Sequence, residues 1–376
     1  MKLLNPLKGK TLPWTGAFEV MGARWRALPA VARWIGYVAM FAFAISLPDI
    51  PNLANIMAPG SSWQRILFFP ISIYILLALG LNVVVGYAGL LDLGFVAFYA
   101  IGAYSMAILG TYHGWGFWEV LPVGIGGAML AGLLLGTPTL RLRGDYLAIV
   151  TLGFGEMIRV TANNVEYLGG PRGINNIPRP PSIGNVSFLH YGVLNSRPYY
   201  YLVVVVIAIV IVIMKRLEKS RVGRSWTAIR EDEDAAQLMG VPTLKFKLWA
   251  FTVGAGVGGA AGVIFASSNS AIRPTDFTFI LSATILAAVV LGGAGNLPGV
   301  ILGAFLVAWV PEAARGFSQY RVVVFGAVLV FLMIFRPQGI WPSRIRAAEF
   351  KEGEGGIDRL GGEVGVVQAQ AGAADS

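Results

Sequence analysis

An all-α, polytopic membrane protein with about 8–10 transmembrane helices is the fold class that the sequence predicts, and three observations carry it. Charged residues make up only 13% of the 376, against about a quarter in soluble domains, while 56% are hydrophobic. Apolar stretches long or nearly long enough to span a bilayer recur at roughly 31–48, 66–86, 94–110, 118–136, 146–164, 199–214, 248–268, 280–296, 299–311 and 321–335. The charges fall between those stretches. Ten crossings from a cytoplasmic N terminus place 21 Lys and Arg residues inside, 7 outside and Arg159 within a span, the asymmetry expected of cytoplasmic loops. Both termini are then cytoplasmic. Several stretches fall short of the roughly 20 residues that a full crossing needs, so some helices are expected to be broken or re-entrant.

The chain has no cysteine and two histidines, His113 and His190, far apart in expected external loops. Disulfides, thiolate metal sites and histidine-based triads are thereby excluded, and no metal site and no catalytic residue is expected. A net charge of +9 raises nucleic acid as a partner, but its distribution between apolar spans is what membrane topology requires and argues against one.

Taken in order, residues 1–30 form a basic, proline-containing cytoplasmic arm, and no apolar core follows its charges closely enough for a signal peptide. Gly9-Lys10-Thr11 resembles the end of a phosphate-binding loop, but Leu4 stands where that loop needs glycine and no strand precedes it. A transmembrane domain over 31–336 follows. Its largest external loop, 165–198, is rich in Pro, Gly and Asn, and serves either as a dock for an extracytoplasmic partner or as a passive connector. Residues 337–376 form a Gly, Ala and acid-rich cytoplasmic tail without apolar periodicity, expected to be largely disordered.

The stretch 215–247 holds 13 of the 49 charged residues in one polar interruption of 33 residues, eight of them Lys or Arg. Such a loop cannot lie in hydrocarbon and belongs in water on the cytoplasmic side. Within it the acids of 231–234 precede Ala235, Ala236, Leu238 and Met239, then Gly240 and Pro242. Acids suit a helix N-terminus, Gly240 suits the left-handed cap and Pro242 stops the helix, so a short surface helix is expected with Leu238 and Met239 exposed. A surface helix that touches nothing and a helix that docks a partner remain equally open on these grounds.

Within the membrane, Gly86-Tyr87-Ala88-Gly89-Leu90-Leu91 and Gly292-Gly293-Ala294-Gly295-Asn296-Leu297 share G-x-A-G-x-L. Each continues to a glycine, Gly94 and Gly299, and to a Gly-Ala pair, Gly102-Ala103 and Gly303-Ala304. This points to an internal duplication, and glycines in apolar spans permit broken helices as well as tight packing without a pore role. Asp92 is either a functional carboxylate at membrane depth or a cap on a half-helix N-terminus. Glu156 and Arg159, three apart on one helix, suit mutual neutralisation. Gly254-Ala255-Gly256-Val257-Gly258-Gly259 fits G-x-G-x-x-G formally, but it lies inside an apolar span with no strand before it. Gly254, Gly258 and Gly262 form a helix-packing face instead.

Four ordered segments carry a family resemblance: LNVVVGYAGLLDLGFVAFYAIGAYSMAIL (81–109), LRLRGDYLAIVTLGFGEMIRV (140–160), AIREDEDAAQLMGV (228–241) and VVLGGAGNLPGVILGAFLV (289–307). Over about 66–340 the chain resembles the LivM family, permease subunits of bacterial high-affinity branched-chain amino acid ABC importers. The resemblance implies a second permease similar to LivH, two cytoplasmic ATPase subunits similar to LivG and LivF, and a periplasmic or lipid-anchored binding protein. ATP and Mg would be used by those ATPases, with no cofactor bound by this chain, and the location would be the bacterial inner membrane. It also implies that Glu233-Asp234-Ala235-Ala236 and Gly240 stand in an EAA-like coupling helix, with Asp234 interposed between the Glu and the alanines. Arg230, Glu231, Glu233, Asp234, Ala235, Ala236, Met239 and Gly240 are the expected coupling residues. Asn82, Gly86, Gly89, Asp92, Gly94, Gly292, Gly293, Gly295 and Asn296 are the expected border of the translocation path, where half-helix ends can meet a zwitterion.

A stand-alone secondary transporter or channel would carry more intramembrane ionisable residues, and a membrane enzyme would need a convergent nucleophile, base or metal set. A urea or short-chain amide permease of the same superfamily is the nearest alternative.

Overall fold

The computed structural model describes residues 41–50, 62–140, 144–181, 191–192, 196–313 and 339–341, with Gly36, Ala39 and Gly326 besides. The N-terminal arm, residues 31–35, 37, 38 and 40 of the expected span 31–48, Arg141 and Arg143, the span 321–335 apart from Gly326 and nearly all of the tail lie outside the described residues, as do 182–190 and 193–195 of the external loop.

Among the described residues the chain is almost wholly helical, as an all-α membrane protein requires. The long helices are α1 (Trp63–Tyr87), α2 (Val96–His113), α3 (Phe117–Thr139), α4 (Gly144–Asn164) and α5 (Arg197–Lys219). After two short helices, α6 (Arg221–Glu231) and α7 (Glu233–Leu238), come α8 (Thr243–Asn269), α9 (Phe279–Gly292) and α10 (Leu297–Ala313). Among the described residues, α1, α3, α5, α8 and the segment Pro274–Gly292 are long and apolar enough to cross a bilayer. The α10 helix is apolar but shorter, in keeping with the expected short segments.

Among the described residues one helix is broken. Near its start α1 is interrupted at Phe69, whose backbone is extended (φ −133°, ψ 124°) ahead of Pro70. Proline brings no N–H to the ladder, and the Ser72 hydroxyl donates to the Leu67 carbonyl (2.7 Å), satisfying one of the groups around the break.

The α8 helix is the centre of the bundle and packs on α3, α2 and α1. From Gly254 to Ser267 every residue but Val257 is buried, so this part of the helix has no polar face. Its glycines set the distances: Gly254 lies against Gly80 and Val84 of α1, Gly258 against Phe95 and Phe98, and Gly262 against the backbone of Tyr99 and Ala103. The formal G-x-G-x-x-G stretch is thus helix-packing surface. Lipid tails are as apolar as leucine, so close backbone approach supplies dispersion contacts that hydrophobic burial alone does not. A Cβ on Gly102 would overlap the Gly259 carbonyl oxygen and lie 2.7 Å from the Gly259 Cα. Gly102→Ala is therefore expected to destabilise the bundle by about 1–3 kcal/mol, read as a lower unfolding midpoint of the detergent-solubilised protein. Gly126→Ala, with nothing within 4 Å of its added methyl, is expected to leave that midpoint unchanged.

Helices alternate in direction, so two ends form. At one end the segment after α4 returns to the bundle: Ile174–Asn175 pairs antiparallel with Ala271–Ile272. The Pro178 carbonyl accepts from the Ser267 hydroxyl (2.9 Å), and Arg179 donates to the Ser270 hydroxyl at 2.8 and 3.1 Å. The first half of the 165–198 loop is thus fastened to α8. The other end carries α6 and α7.

Candidate functional site

The end bearing α6 and α7 departs from the sequence expectation in one respect. The stretch 215–247 is helical almost throughout, where a polar loop with a single short helix was expected. The α5 helix continues to Lys219, Ser220 caps α6 by accepting from the Gly223 N–H (3.4 Å), and α8 begins at Thr243. Charge hid α6, yet Val222, Trp226 and Ile229 recur at helical spacing and face inward, with Trp226 fully buried. Its indole Nε1 donates to the Phe246 carbonyl (2.7 Å), and its ring stacks on Tyr87 at the end of α1 (centroids 6.3 Å, 5° between planes).

The expected short helix is present as α7. It begins two residues later than the acidic run, because Asp232 is the N-cap: its carboxylate accepts from the Ala235 N–H (2.9 Å) and separates α6 from α7. Glu231 therefore ends α6, while Glu233 and Asp234 sit in the first turn of α7. Gly240 is left-handed (φ +84°) and ends the helix as expected. Leu238 and Met239 are 88% and 84% exposed. Ala235 is exposed too, but Ala236 is buried. Glu233 forms an ion pair with Lys247, whose side chain is only 5% exposed, so α7 is tied to the first turns of α8.

Arg230, one of the expected coupling residues, points inward. Its Nη1 donates to the Gly86 carbonyl oxygen (2.6 Å). The two G-x-A-G-x-L turns meet at this guanidinium. Gly89 and Gly295 hold the same place in the repeat and share a left-handed backbone, φ +71° and +88°. A Cβ on Gly89 would lie 2.9 Å from Arg230 Cγ, and one on Gly295 would lie 2.9 Å from Arg230 Nη1. The turns also bond to each other: the Gly295 N–H donates to Asn82 Oδ1 (2.8 Å), and Asn82 is fully buried. Each turn links a helix arriving at this end to one leaving it, α1 to α2 and α9 to α10. Sequence duplication has thus become a duplicated helix–turn–helix closed around one arginine.

The other expected path residues fall into two further groups. Gly292 and Asn296 take up the chain again at 340–341: the Ile340 and Trp341 N–H groups donate to the Leu291 and Gly292 carbonyls (2.7 and 3.1 Å), and Asn296 Nδ2 donates to the Trp341 carbonyl (2.9 Å). Gly293, left-handed at φ +106°, lies against Gly339. Asp92 and Gly94 belong with α4. Asp92 Oδ1 accepts from the Gly94 N–H (2.8 Å), the Leu93 N–H donates to the Thr151 hydroxyl (3.1 Å), and the Val96 N–H donates to the Ser282 hydroxyl (3.0 Å). These bonds satisfy N–H groups at the start of α2. Asp92 thus shapes the turn that starts α2 through Oδ1, while its Oδ2 is buried with no hydrogen-bond partner among the described residues, so both of its roles stay open. Trp226, Lys247, Thr151 and Ser282 escaped sequence reasoning. The buried Lys247 carries no sequence signal, whereas Trp226 had the α6 periodicity.

Arranged this way, the α6–α7 element holds both glycine turns through Arg230 and the central helix through Glu233 and Lys247.

The family model described as branched-chain amino acid transport system / permease component matches residues 66–335. The high-affinity branched-chain amino acid transport system permease protein LivM of Escherichia coli K12 is 44% identical over 299 residues, covering 75% of this chain and 70% of that protein. LivM of Salmonella typhimurium is 44% identical over 300 residues, covering 75% and 71%. The permease protein LivH of Salmonella typhimurium is 26% identical over 285 residues, covering 72% of this chain and 91% of LivH. No solved structure matches the chain significantly. With the family model matched from α1 through α10 and identity of 44% to two LivM proteins, this multi-pass membrane chain belongs to the family of branched-chain amino acid transport system permease components.

Proposed function

We propose that the chain is the permease subunit of an ATP-driven importer that carries branched-chain amino acids, leucine, isoleucine and valine, across the bacterial inner membrane with both termini cytoplasmic. A periplasmic binding protein delivers the substrate, and a second permease similar to LivH completes the path. Two ATPase subunits, similar to LivG and LivF, use ATP and Mg on the cytoplasmic side, while this chain binds neither. The observation that carries the reading is the Arg230 junction. A helix pair displaying an unpartnered Leu238–Met239 tip grips both glycine turns, as an element must if work done outside the membrane is to open a path within it.

In this reading an ATPase seats on the exposed tip of α7. Closure of the ATPases shifts α6 and α7 as a unit, because Asp232 caps one helix directly against the other. The shift reaches α8 through Glu233 and Lys247, and reaches the turns at Gly86–Gly89 and Gly295 through Arg230. The left-handed glycines let those turns reorient where other residues would be strained.

Co-purification with the ATPase subunits tests the reading. The double substitution Leu238→Glu, Met239→Glu changes two side chains that make little contact within the chain, so the fold is expected to persist while recovery of the ATPases falls at least tenfold and leucine uptake is lost. Undiminished recovery of ATPases with normal uptake would refute the docking role of α7. Uptake of leucine by the reconstituted chain without any ATPase would refute the importer reading itself. Competition by urea but not by leucine would assign the amide permease specificity instead.

A further inference from the structure

The α4 helix carries an ion pair beside a broad open face. Its 21 residues extend about 31 Å at 1.5 Å per residue, enough to cross a bilayer. Like α2, it is absent from the helices apolar enough to do so on composition. One side packs inward, where Thr151 and Gly155 meet Gly94 at the start of α2. The opposite side is open: Tyr146, Ile149 and Met157 are 68%, 66% and 56% exposed, Val160 is exposed beside them, and a Cβ on Gly153 would meet nothing within 4 Å. Spaced 3, 4, 4 and 3 apart, these five positions form one stripe along the helix.

At the edge of that stripe Glu156 and Arg159 form an ion pair, with side chains 44% and 30% exposed. The pair sits on the second half of α4, between apolar turns. An ionised group facing hydrocarbon costs about 2.5–3.5 kcal/mol even on the most lenient scale, and such residues in spans face protein or a water-filled cavity. By contrast, the exposed face of α5, formed by Val205, Ile209, Val212 and Ile213, is wholly apolar and suits lipid. Large side chains flanking an open glycine, as at Ile149, Gly153 and Met157, offer another helix a place for close approach. The occupant must itself span the membrane, and the similarity of this chain to LivH over 91% of that permease shows that a second permease can share this fold.

We infer that the Tyr146–Ile149–Gly153–Met157–Val160 face of α4 is where a second permease subunit of the same fold abuts, with Glu156 and Arg159 lying along the seam between the two. This rests on the importer reading above. A substrate path running at that seam would pass a carboxylate and a guanidinium held side by side, the two charges complementary to a zwitterion.

Photocrosslinking in the assembled complex tests the inference. Benzoyl-phenylalanine is placed in turn at Met157 on α4, at Ile209 on α5, at Leu134 on α3 and at Met239 on α7, with the co-expressed second permease and ATPases separately tagged. Capture of the second permease from Met157 but not from Ile209 or Leu134 is the expected result. Capture of an ATPase from Met239 with no permease captured from Met157, or with equal capture from Ile209, overturns the inference and leaves the importer reading standing. An intramolecular crosslink from Met157 to residues 321–335 likewise overturns it, since the chain's own segment would then cover α4. No capture from any position defeats both. Gly153→Leu adds a second readout: nothing lies within 4 Å of a Cβ there and the helix face is exposed, so its yield and ATPase recovery are expected to persist while recovery of the second permease falls more than tenfold. Full recovery of that permease would count against the face.

Discussion

Arg230→Ala is expected to cut branched-chain amino acid uptake by about 10- to 100-fold while leaving membrane insertion and ATPase recovery near normal. The substitution removes the hydrogen bond from Nη1 to the Gly86 carbonyl and the stem that lies against Gly89. A hydrogen bond to a charged donor contributes about 1.5–3 kcal/mol, and each 1.4 kcal/mol is a factor of about ten in an equilibrium. The exposed tip of α7 lies on the far side of Asp232 and is untouched, so docking and coupling separate in this variant. ATP hydrolysis by the complex is expected to continue while uptake falls, because the helix pair would move without drawing the turns along. Arg230→Lys is expected to recover only part of the activity: the ammonium keeps the charge but lacks the planar fork that lets one side chain lie between two turns. Uptake and its ratio to ATP hydrolysis, measured in proteoliposomes, are the readouts. An alanine variant with an unchanged ratio would remove Arg230 from the coupling route.

How much of this junction was legible in the sequence depends on which physical term fixed each residue. Hydropathy located the helices because the cost of a polar backbone or charge in hydrocarbon acts residue by residue. The repeated G-x-A-G-x-L marked both segments as places where a helix can break, but the left-handed backbone at Gly89 and Gly295 appears only in the structure. Gly240 and the exposed Leu238 and Met239 followed from local helix-stop chemistry, which needs no tertiary information. What local reasoning lost was direction. Arg230 looked like a cytoplasmic contact because it sits in a charged stretch, and only the phase of α6, set by Val222, Trp226 and Ile229 packing inward, turns it toward Gly86. Asp92 stayed ambiguous because its neighbourhood is built by hydroxyls on α4 and α9, Thr151 and Ser282, far away in the chain. Lys247 reads as a surface charge and is buried, because its partner Glu233 lies on another helix.

Gly86→Ala is expected to abolish uptake, and the reason is a clash that no side-chain rotation inside the junction can relieve completely. A Cβ at this position would overlap Asn82 Oδ1 and lie 2.5 Å from the Gly295 backbone nitrogen. Asn82 is fully buried and its Oδ1 accepts from that same Gly295 N–H (2.8 Å), so the added methyl group wedges into the bond that ties the end of α1 to the second turn. Overpacking costs about 1–3 kcal/mol, and a buried polar group left without its partner costs about 1–3 kcal/mol more. A combined penalty of about 2–6 kcal/mol lowers the population of the closed junction by roughly 30- to 20,000-fold. The residues that pack α8 against α2 and α3 are remote from the wedge, so the protein is expected to insert and to purify. Two companion variants locate the cause. Asn82→Ala alone removes the bond without the wedge and is expected to be less damaging. Combined with Gly86→Ala it clears the Oδ1 overlap but keeps the contact with the Gly295 nitrogen, so the double variant is expected to lose less than the two single effects together. Strict additivity in that cycle, with Gly86→Ala transporting normally, would mean that the two turns work independently and that their meeting at Arg230 plays no part in transport.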